Sequence, residues 1–597
     1  MLFNGEAIFG VLDLGGEEAG TRCRVERFAR RARRLNADVQ SQTVGAAVLG
    51  WAGRKAGCLR RSGQSRDSKI HAAVLGEIFS PRGGHELFCG GRVDCDWVAE
   101  GYRNGGVDFL AQLDGTFALA LWDSEARVLV LLTDRRSDAQ LFYRMDGNHL
   151  SFSSWLSLLA EPDLGYDRAA VHEFLRFLYI APPRTIYKET FRIEPGCYLE
   201  VLDGKAGTHF FERDDDCSSP WDGSADEALD RFQDIFENAI ARRIGRRRVG
   251  VFLSSGVDSA TLLAGCCRSN PGNVEAFTVG FEDTGLDETS TARAYARYLE
   301  VPHTVFKFGL KEYRCAFEDV AREFDQPFAD PAGLPLVLAT AASKDRVDVI
   351  SGGTGGDDLF GAPIPRHLRF SLNYAAKLPV GLRLALARVV RKARGGISDY
   401  ASLFDFGDPE ELLITWSGWR RSELENLLGQ DIDFADSAFY RRFRRYRDEG
   451  VQVLYDALGI FPPDDCRFEA AGPAGIPIEL PYHDVDLHAF VEKLPMKLRM
   501  CDDITKVLLK NLFERYFPEN LRLAKKHYFN MPLNELLAND HFELLRTHLT
   551  KEELLHHGCV DYEAASPWIR RFMAGESKLA FKIWALLVLH AWLGSRN

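Results

Sequence analysis

The sequence predicts an α/β plus α+β protein in two parts. The first is an N-terminal β-sandwich flanked by helices; the second is a C-terminal parallel sheet with a helical extension. Three observations predict it. Short apolar runs of strand length recur through residues 1–212, with Gly, Asp and Arg between them. Residues 249–264 read as strand, tight Ser/Gly loop and helix, in that order. Another strand, residues 347–350, runs into the Gly- and Asp-rich stretch 351–361. Strands alternating with helices imply a parallel sheet with sites at the strand C-terminal ends.

The chain has 597 residues, too many for one core. Its charged and apolar fractions, 27% and 46%, are those of a globular protein. Lys plus Arg number 74 against 86 Asp plus Glu, a net charge of -12, which argues against general nucleic-acid binding. Twelve cysteines are scattered without paired C-x-x-C spacing, so neither a zinc site nor a disulfide framework is indicated, and a reducing cytoplasm fits best. No signal peptide opens the chain. The late apolar run 583–593 is broken by His590 and reads as a core helix, so no membrane association is expected.

In order, strands are predicted at residues 7–13, 72–79, 116–123, 128–132 and 150–152. Residues 22–34 carry seven Arg, too dense for a core; a solvated helix or loop face is the plain reading and an acidic partner the sharper one. Residues 213–223 have the polar, Pro- and Gly-containing composition of a linker. That divides the chain into domains 1–212 and 224–597. A helix is predicted over 225–242, a strand over 274–281, a helix over 290–299 and a short strand over 304–306.

The loop Ser254-Ser255-Gly256-Val257-Asp258-Ser259 precedes a helix N-terminus, whose unpaired N–H groups and partial positive charge suit a phosphate. Gly256 permits close backbone approach, and the three Ser hydroxyls add donors. Asp258 makes sense beside a phosphate as a ligand of Mg2+, and Asp357 of the second loop could meet it around the same ion. The plain alternative is a Ser-capped helix after a buried strand. This is not a Walker A loop, because the Gly-Lys-Ser/Thr ending is missing.

The loop resembles the Ser-Gly-Gly-x-Asp-Ser loop of ATP pyrophosphatases, with Ser255 in place of a Gly. The resemblance extends over nearly the whole chain to asparagine synthetases. It is carried by Ile8-Phe9-Gly10-Val11, Gly76-Glu77-Ile78-Phe79, Leu113-Asp114-Gly115-Thr116-Phe117, Thr133-Asp134-Arg135-Arg136 and Phe277-Thr278-Val279-Gly280-Phe281. Gly353 to Gly361, Pro481-Tyr482-His483-Asp484, Lys493-Leu494-Pro495, Thr505-Lys506-Val507-Leu508 and Lys526-His527-Tyr528-Phe529 complete it. The resemblance implies an N-terminal glutaminase-like (Ntn-type) domain and a C-terminal ATP-pyrophosphatase domain. It also implies that backbone groups at Leu253, Val279, Gly352 and Gly353 hold ATP, and that Lys526 stabilises transition-state charge; Lys525 is an adjacent rival.

Three departures shape the expected function. The family's catalytic Cys falls on Glu6, and its glutamine-holding Asn falls on Leu75; Cys23 lies outside the motif. A carboxylate cannot replace a thiol nucleophile here, so the N-terminal domain is expected to be catalytically inactive. Asparagine synthetases carry Glu, and β-lactam synthetases Tyr, where Thr354 stands. Asp330, Asp464 and Glu469 are then weak candidates for a base.

The expected reaction adenylates a carboxylate with ATP and Mg2+, releases pyrophosphate, and lets an amine displace AMP. With no ammonia source, the simplest amine belongs to the substrate itself, as in lasso-peptide macrolactam synthetases. These join a peptide's N-terminal amine to an Asp or Glu side chain. A precursor peptide, a leader peptidase and a leader-binding protein are the implied partners. The long segment 366–461, rich in Arg, could cover a peptide or be an ordinary helical face. An ammonia-dependent amide ligase, a β-lactam synthetase-like cyclase and a non-catalytic scaffold remain the alternatives.

Overall fold

The computed structural model describes residues 6–15, 18–34, 37–53, 62–79, 95–161, 164–211, 219–281, 289–361, 364–393, 403–404, 406, 418–429, 437, 441, 444–445, 476–501, 504–521 and 531–596. The whole is a mixed α/β protein with antiparallel sheets first and a parallel sheet after them.

Among the described residues, twelve strands build the first part: β1 (Glu6–Asp13), β2 (Asp38–Val44), β3 (Ala47–Gly53), β4 (Ser62–Gln64), β5 (Ile70–Phe79) and β6 (Asp114–Asp123), then β7 (Val128–Thr133), β8 (Phe142–Asp146), β9 (His149–Ser153), β10 (Thr190–Arg192), β11 (Cys197–Leu202) and β12 (Lys205–Phe210). They form two six-stranded sheets, ordered β10-β8-β9-β1-β3-β2 and β12-β11-β7-β6-β5-β4. Side-chain alternation decides how the sheets stack. From β1, Ile8 and Leu12 point into a core shared with Leu75, Ala120 and Leu131 of the second sheet. Phe9 and Val11 point the other way, onto a helical layer.

That layer includes α1 (Glu18–Arg34), which lays Phe28 edge-on against Phe9, ring centroids 5.8 Å apart. The Arg-rich helix is not simply a solvated face. Arg24 pairs with Asp146 at 2.7 Å, Arg27 with Glu161 at 3.0 Å, and Arg31 donates to the Leu158 carbonyl at 2.7 Å. Arg22, Arg30 and Arg33 are exposed.

The parallel sheet contains β13 (Val249–Phe252), β14 (Val274–Phe281), β15 (His303–Phe308), β16 (Val349–Ser351) and β17 (Ile478–Glu479), in the order β15-β14-β13-β16-β17. The chain moves outward from β13 through β14 to β15, then returns to the far side of β13 for β16. The strand order therefore reverses between β13 and β16, which opens a crevice at their C-terminal ends. Helix α2 (Ala225–Ile244) starts with a reciprocal cap in which Ser224 and Glu227 satisfy each other's backbone N–H groups. It packs Phe232, Phe236 and Ile240 into the same core as α3 (Val257–Ser269).

The two parts share buried structure. Phe9, Trp155 and Phe174 lie in one core with Trp584 and Leu586 of the C-terminal helix. The Ala329 N–H donates to the Leu178 carbonyl at 2.7 Å, and Asp325 accepts from the Leu156 N–H at 2.7 Å. At a second contact Arg243, 1% exposed, lies between Asp114 and Glu479 and over the Phe79 ring.

Residues 577–594 are the one apolar helical stretch among the described residues long enough to cross a membrane, and 72% of it is buried inside the protein. It is a core helix. Its His590 ring faces His557, Nδ1 to Nδ1 at 2.9 Å, so one ring must donate to the other. Burial, with His557 and His548 nearby, pushes the His590 pKa down to about 3 from 6.5. The unfolded chain therefore binds a proton that the folded chain refuses between those values, and stability falls as pH drops below 6.5. A loss of roughly 2 kcal/mol between pH 6.5 and 5 is expected from this group. Thermal melts over that range check it: a His590→Met variant should lose less Tm on acidification than the wild type.

Candidate active site

The first loop grows directly from β13. The Leu253 N–H donates to the Phe277 carbonyl at 2.7 Å, extending the ladder one residue past the strand. Thr278 then donates its hydroxyl to the Leu253 carbonyl at 2.8 Å. Beyond Leu253 the chain turns on its own serines. The Ser254 and Ser259 hydroxyl oxygens are 2.9 Å apart, and the Gly256 N–H donates to Ser254 Oγ at 3.1 Å. Gly256 is the N-cap of α3 and gives no side-chain cap, so the first-turn N–H groups keep their pull on an anion. Ser255 is 3% exposed, and its Oγ has no hydrogen-bond partner among the described residues.

The second loop follows β16, which pairs with β13, so the two loops are neighbours at the crevice. The Gly352 N–H donates to the Glu479 carbonyl at 2.9 Å. Gly353 lies against Ser259: a Cβ there would stand 3.2 Å from the Ser259 backbone. A Cβ on Gly356 would stand 2.3 Å from Asp258 Oδ1. Glycines in the second loop thus let it nest against the first. Asp357 and Asp358 open the short helix α4 (Gly356–Phe360).

The two acidic loops meet at a lysine. Lys506 Nζ donates to Asp258 at 2.7 Å and 2.6 Å and lies 2.8 Å from Asp357 Oδ1. Lys506 is 3% exposed, and burial alone would lower its pKa. The charges of Asp258 and Asp357 outweigh that and raise it, so the ammonium stays charged. Its backbone is left-handed, φ 57 and ψ 41, at the start of α5 (Val507–Tyr516). A non-Gly residue there costs about 1–2 kcal/mol, which charge-assisted hydrogen bonds offset. Helix α5 is fixed by Leu508, Leu509, Leu512 and Phe513, which pack against Leu262 and Leu263 of α3. From below, the Tyr482 hydroxyl donates to the Asp258 carbonyl at 2.9 Å.

Asp258 and Asp357, Ser254 to Ser259, Leu253, Gly352 and Gly353 therefore gather at one crevice. Val279 sits on β14, paired with Phe306, one strand over from the first loop. Lys526, Asp464 and Glu469 lie outside the described residues. Asp330, the remaining candidate base, accepts from the Ala332 N–H in a local turn. Sequence reasoning assigned no role to Lys506. The available signal was a lysine beside an apolar helix start, since a buried cation requires carboxylates.

The donors fit a hard divalent cation. Both carboxylates converge within 2.8 Å of one point, now marked by an ammonium, and Asp357 is 56% exposed, leaving room for phosphate oxygens and water. The buried Ser255 hydroxyl is a further donor without a partner among the described residues.

Comparisons with known proteins agree with this layout. The glutamine amidotransferase domain profile matches residues 83–212, and the asparagine synthase profile matches residues 231–594. The glutamine-hydrolyzing asparagine synthetase 1 of Bacillus subtilis is 23% identical over 524 residues, 84% of this chain and 80% of its own. A putative glutamine-hydrolyzing asparagine synthetase of Mycobacterium bovis is 23% identical over 526 residues, 84% of this chain and 79% of its own. The amidase chyE of Penicillium rubens is 26% identical over 327 residues, 49% of this chain and 47% of its own. The asparagine synthase profile spans more than half of the chain and takes in both acidic loops, and on that match this chain belongs to the asparagine synthase family.

Proposed function

We propose that this protein is an ATP-dependent amide synthetase that closes a macrolactam in a ribosomal peptide, as lasso-peptide cyclases do. The observation that carries the reading is a pairing of presence and absence. Two acidic loops converge on one cation position at the sheet crevice, while the head of β1 bears Glu6 where a glutaminase needs a thiol.

In this reading the N-terminal sandwich is a glutaminase-like, Ntn-type domain, and the parallel sheet belongs to an ATP-pyrophosphatase domain. Leu75, at the position of the glutamine-holding Asn, is 2% exposed and packed between the sheets. It offers no hydrogen bond to an amide. Ammonia made in this domain is therefore not the nitrogen source in this reading, and the amine comes from the substrate.

In the synthetase site, the residues that would hold ATP are Leu253 and Val279 on the adenine side and the α3 N-terminus for the phosphates. Asp258 and Asp357 would hold Mg2+, which when bound would supply charge neutralisation for the departing pyrophosphate. Lys506 fixes the two carboxylates in register, and Lys526 is the second cation in the family pattern. The substrate carboxylate attacks the α-phosphorus, pyrophosphate leaves, and the peptide amine displaces AMP from the acyl-adenylate. Thr354, beside the site, is a poor base, so the amine proton leaves through another group or water. Alignment of the two peptide ends supplies much of the rate, and enclosure keeps water from the adenylate. A leader peptidase and a leader-binding protein are the proposed partners, and the cytoplasm the proposed compartment.

The test compares substrates under ATP and Mg2+. Pyrophosphate release is expected with a cognate precursor peptide, with the peptide losing the mass of one water. Turnover of aspartate plus ammonia, and none with any peptide, would end the cyclase reading in favour of an ammonia-dependent ligase.

A further inference from the structure

The turn after β7 reaches out of the N-terminal domain and touches the underside of the synthetase site. Its shape is set by Asp134. That carboxylate accepts from the backbone N–H groups of Arg136, Asp138, Ala139 and Phe117, at 3.2, 3.0, 2.9 and 3.4 Å. The turn presents two side chains across the domain boundary. Arg136 pairs with Asp358 at 3.0 Å, and Asp358 follows Asp357 directly. Asp138 Oδ2 lies 2.7 Å from His483 Nδ1, with both side chains buried. The His483 ring fills the space where a Gly355 side chain would stand: a Cβ there would meet its Cδ2 at 2.5 Å. Gly355 has φ +95, a conformation that favours glycine. Next to His483, Tyr482 holds the Asp258 carbonyl.

Both acidic loops are thus braced by one short turn, 481–483, and that turn and α4 are each tied to the N-terminal domain. We infer that Arg136 and Asp138 are positioning residues for the synthetase site, through which the N-terminal domain sets the placement of Asp357 and Asp258. Neither residue touches substrate. Arg136 acts through Asp358, and Asp138 through His483 and Gly355. Ion pairs that are partly buried hold geometry better than exposed ones, because water competes less. A loop misplaced by about an ångström loses rate on the order of a hundredfold.

The inference rests on the proposed function only for its kinetic readout, so the experiment has two arms. Hydrogen–deuterium exchange is measured in the full chain for wild type, Arg136→Met, Arg136→Lys and Asp138→Asn. Exchange in residues 352–361 is expected to speed up about tenfold or more in Arg136→Met and Asp138→Asn, with β5 and β6 unchanged and Arg136→Lys partly restored. In pyrophosphate release, the same two variants should raise KM for Mg·ATP and lower kcat, at unaltered Tm. Unchanged exchange in 352–361 in both variants overturns the inference. A wild type without ATP turnover would sink the proposed function, while the exchange arm still decides the positioning role.

Discussion

Asp258→Ala abolishes pyrophosphate release, a fall expected to exceed about a thousandfold, since one preorganised charge at a reacting phosphate accounts for roughly 10²–10³ and metal binding is lost as well. The structure shows why alanine alone is an incomplete test. Asp258 is also the main partner of a buried lysine, held by two short hydrogen bonds. Removing it leaves Lys506 with Asp357 as its one carboxylate partner among the described residues, and Asp357 is more than half exposed. Stranding a buried charged group in this way costs about 1–3 kcal/mol of stability. Asp258→Asn separates the two effects, because its amide oxygen still accepts from Lys506 Nζ while its charge is gone. The Asn variant should lose less Tm than Ala, because one of the two hydrogen bonds from Lys506 is kept, and lose activity as completely as Ala. Full activity in either variant, at wild-type Mg2+ concentration, would refute the metal role.

The second large effect is at Lys506. In Lys506→Met the side chain keeps its length and burial but withdraws the ammonium that Asp258 and Asp357 share. Turnover should fall about 10²–10³-fold, the usual loss when one electrostatic stabiliser is removed. The same change removes a competitor for the carboxylates. Divalent-cation binding without nucleotide, followed by calorimetry, should therefore become tighter as turnover falls. A variant that loses both together would show that the lysine is part of the ion's site and does not compete with it. Lys506→Arg keeps the charge but not the compact ammonium, and should recover little.

What could be read in advance followed from locality. β1, β5 and β6 are contiguous apolar runs, and β13 with α3 forms a strand–loop–helix signature within sixteen residues. The bounds shifted by only a residue or two, as with the strand at 347–350, which is β16 at Val349–Ser351. β2 was invisible because it is a polar, largely exposed edge strand, Asp-Val-Gln-Ser-Gln-Thr-Val, with no apolar run to mark it. The convergence of Asp258 and Asp357 could be anticipated once both loops were placed on strand ends of one sheet. Their meeting at Lys506 could not, because 248 residues separate the lysine from Asp258 and no local pattern encodes the contact. The contact of Asp138 with His483 spans 345 residues and is equally silent in the sequence. The Arg of α1 that bind Asp146 and Glu161 were read as a solvated face for the same reason.

The nesting of Gly353 and Gly356 against Ser259 and Asp258 also limits how this enzyme can move. Two turns in contact this close, with the hydroxyl of Tyr482 donating to one of them, are expected to move as one unit. Entry of substrate and release of product would then need motion elsewhere, so crosslinks that fasten these two turns together should leave catalysis untouched.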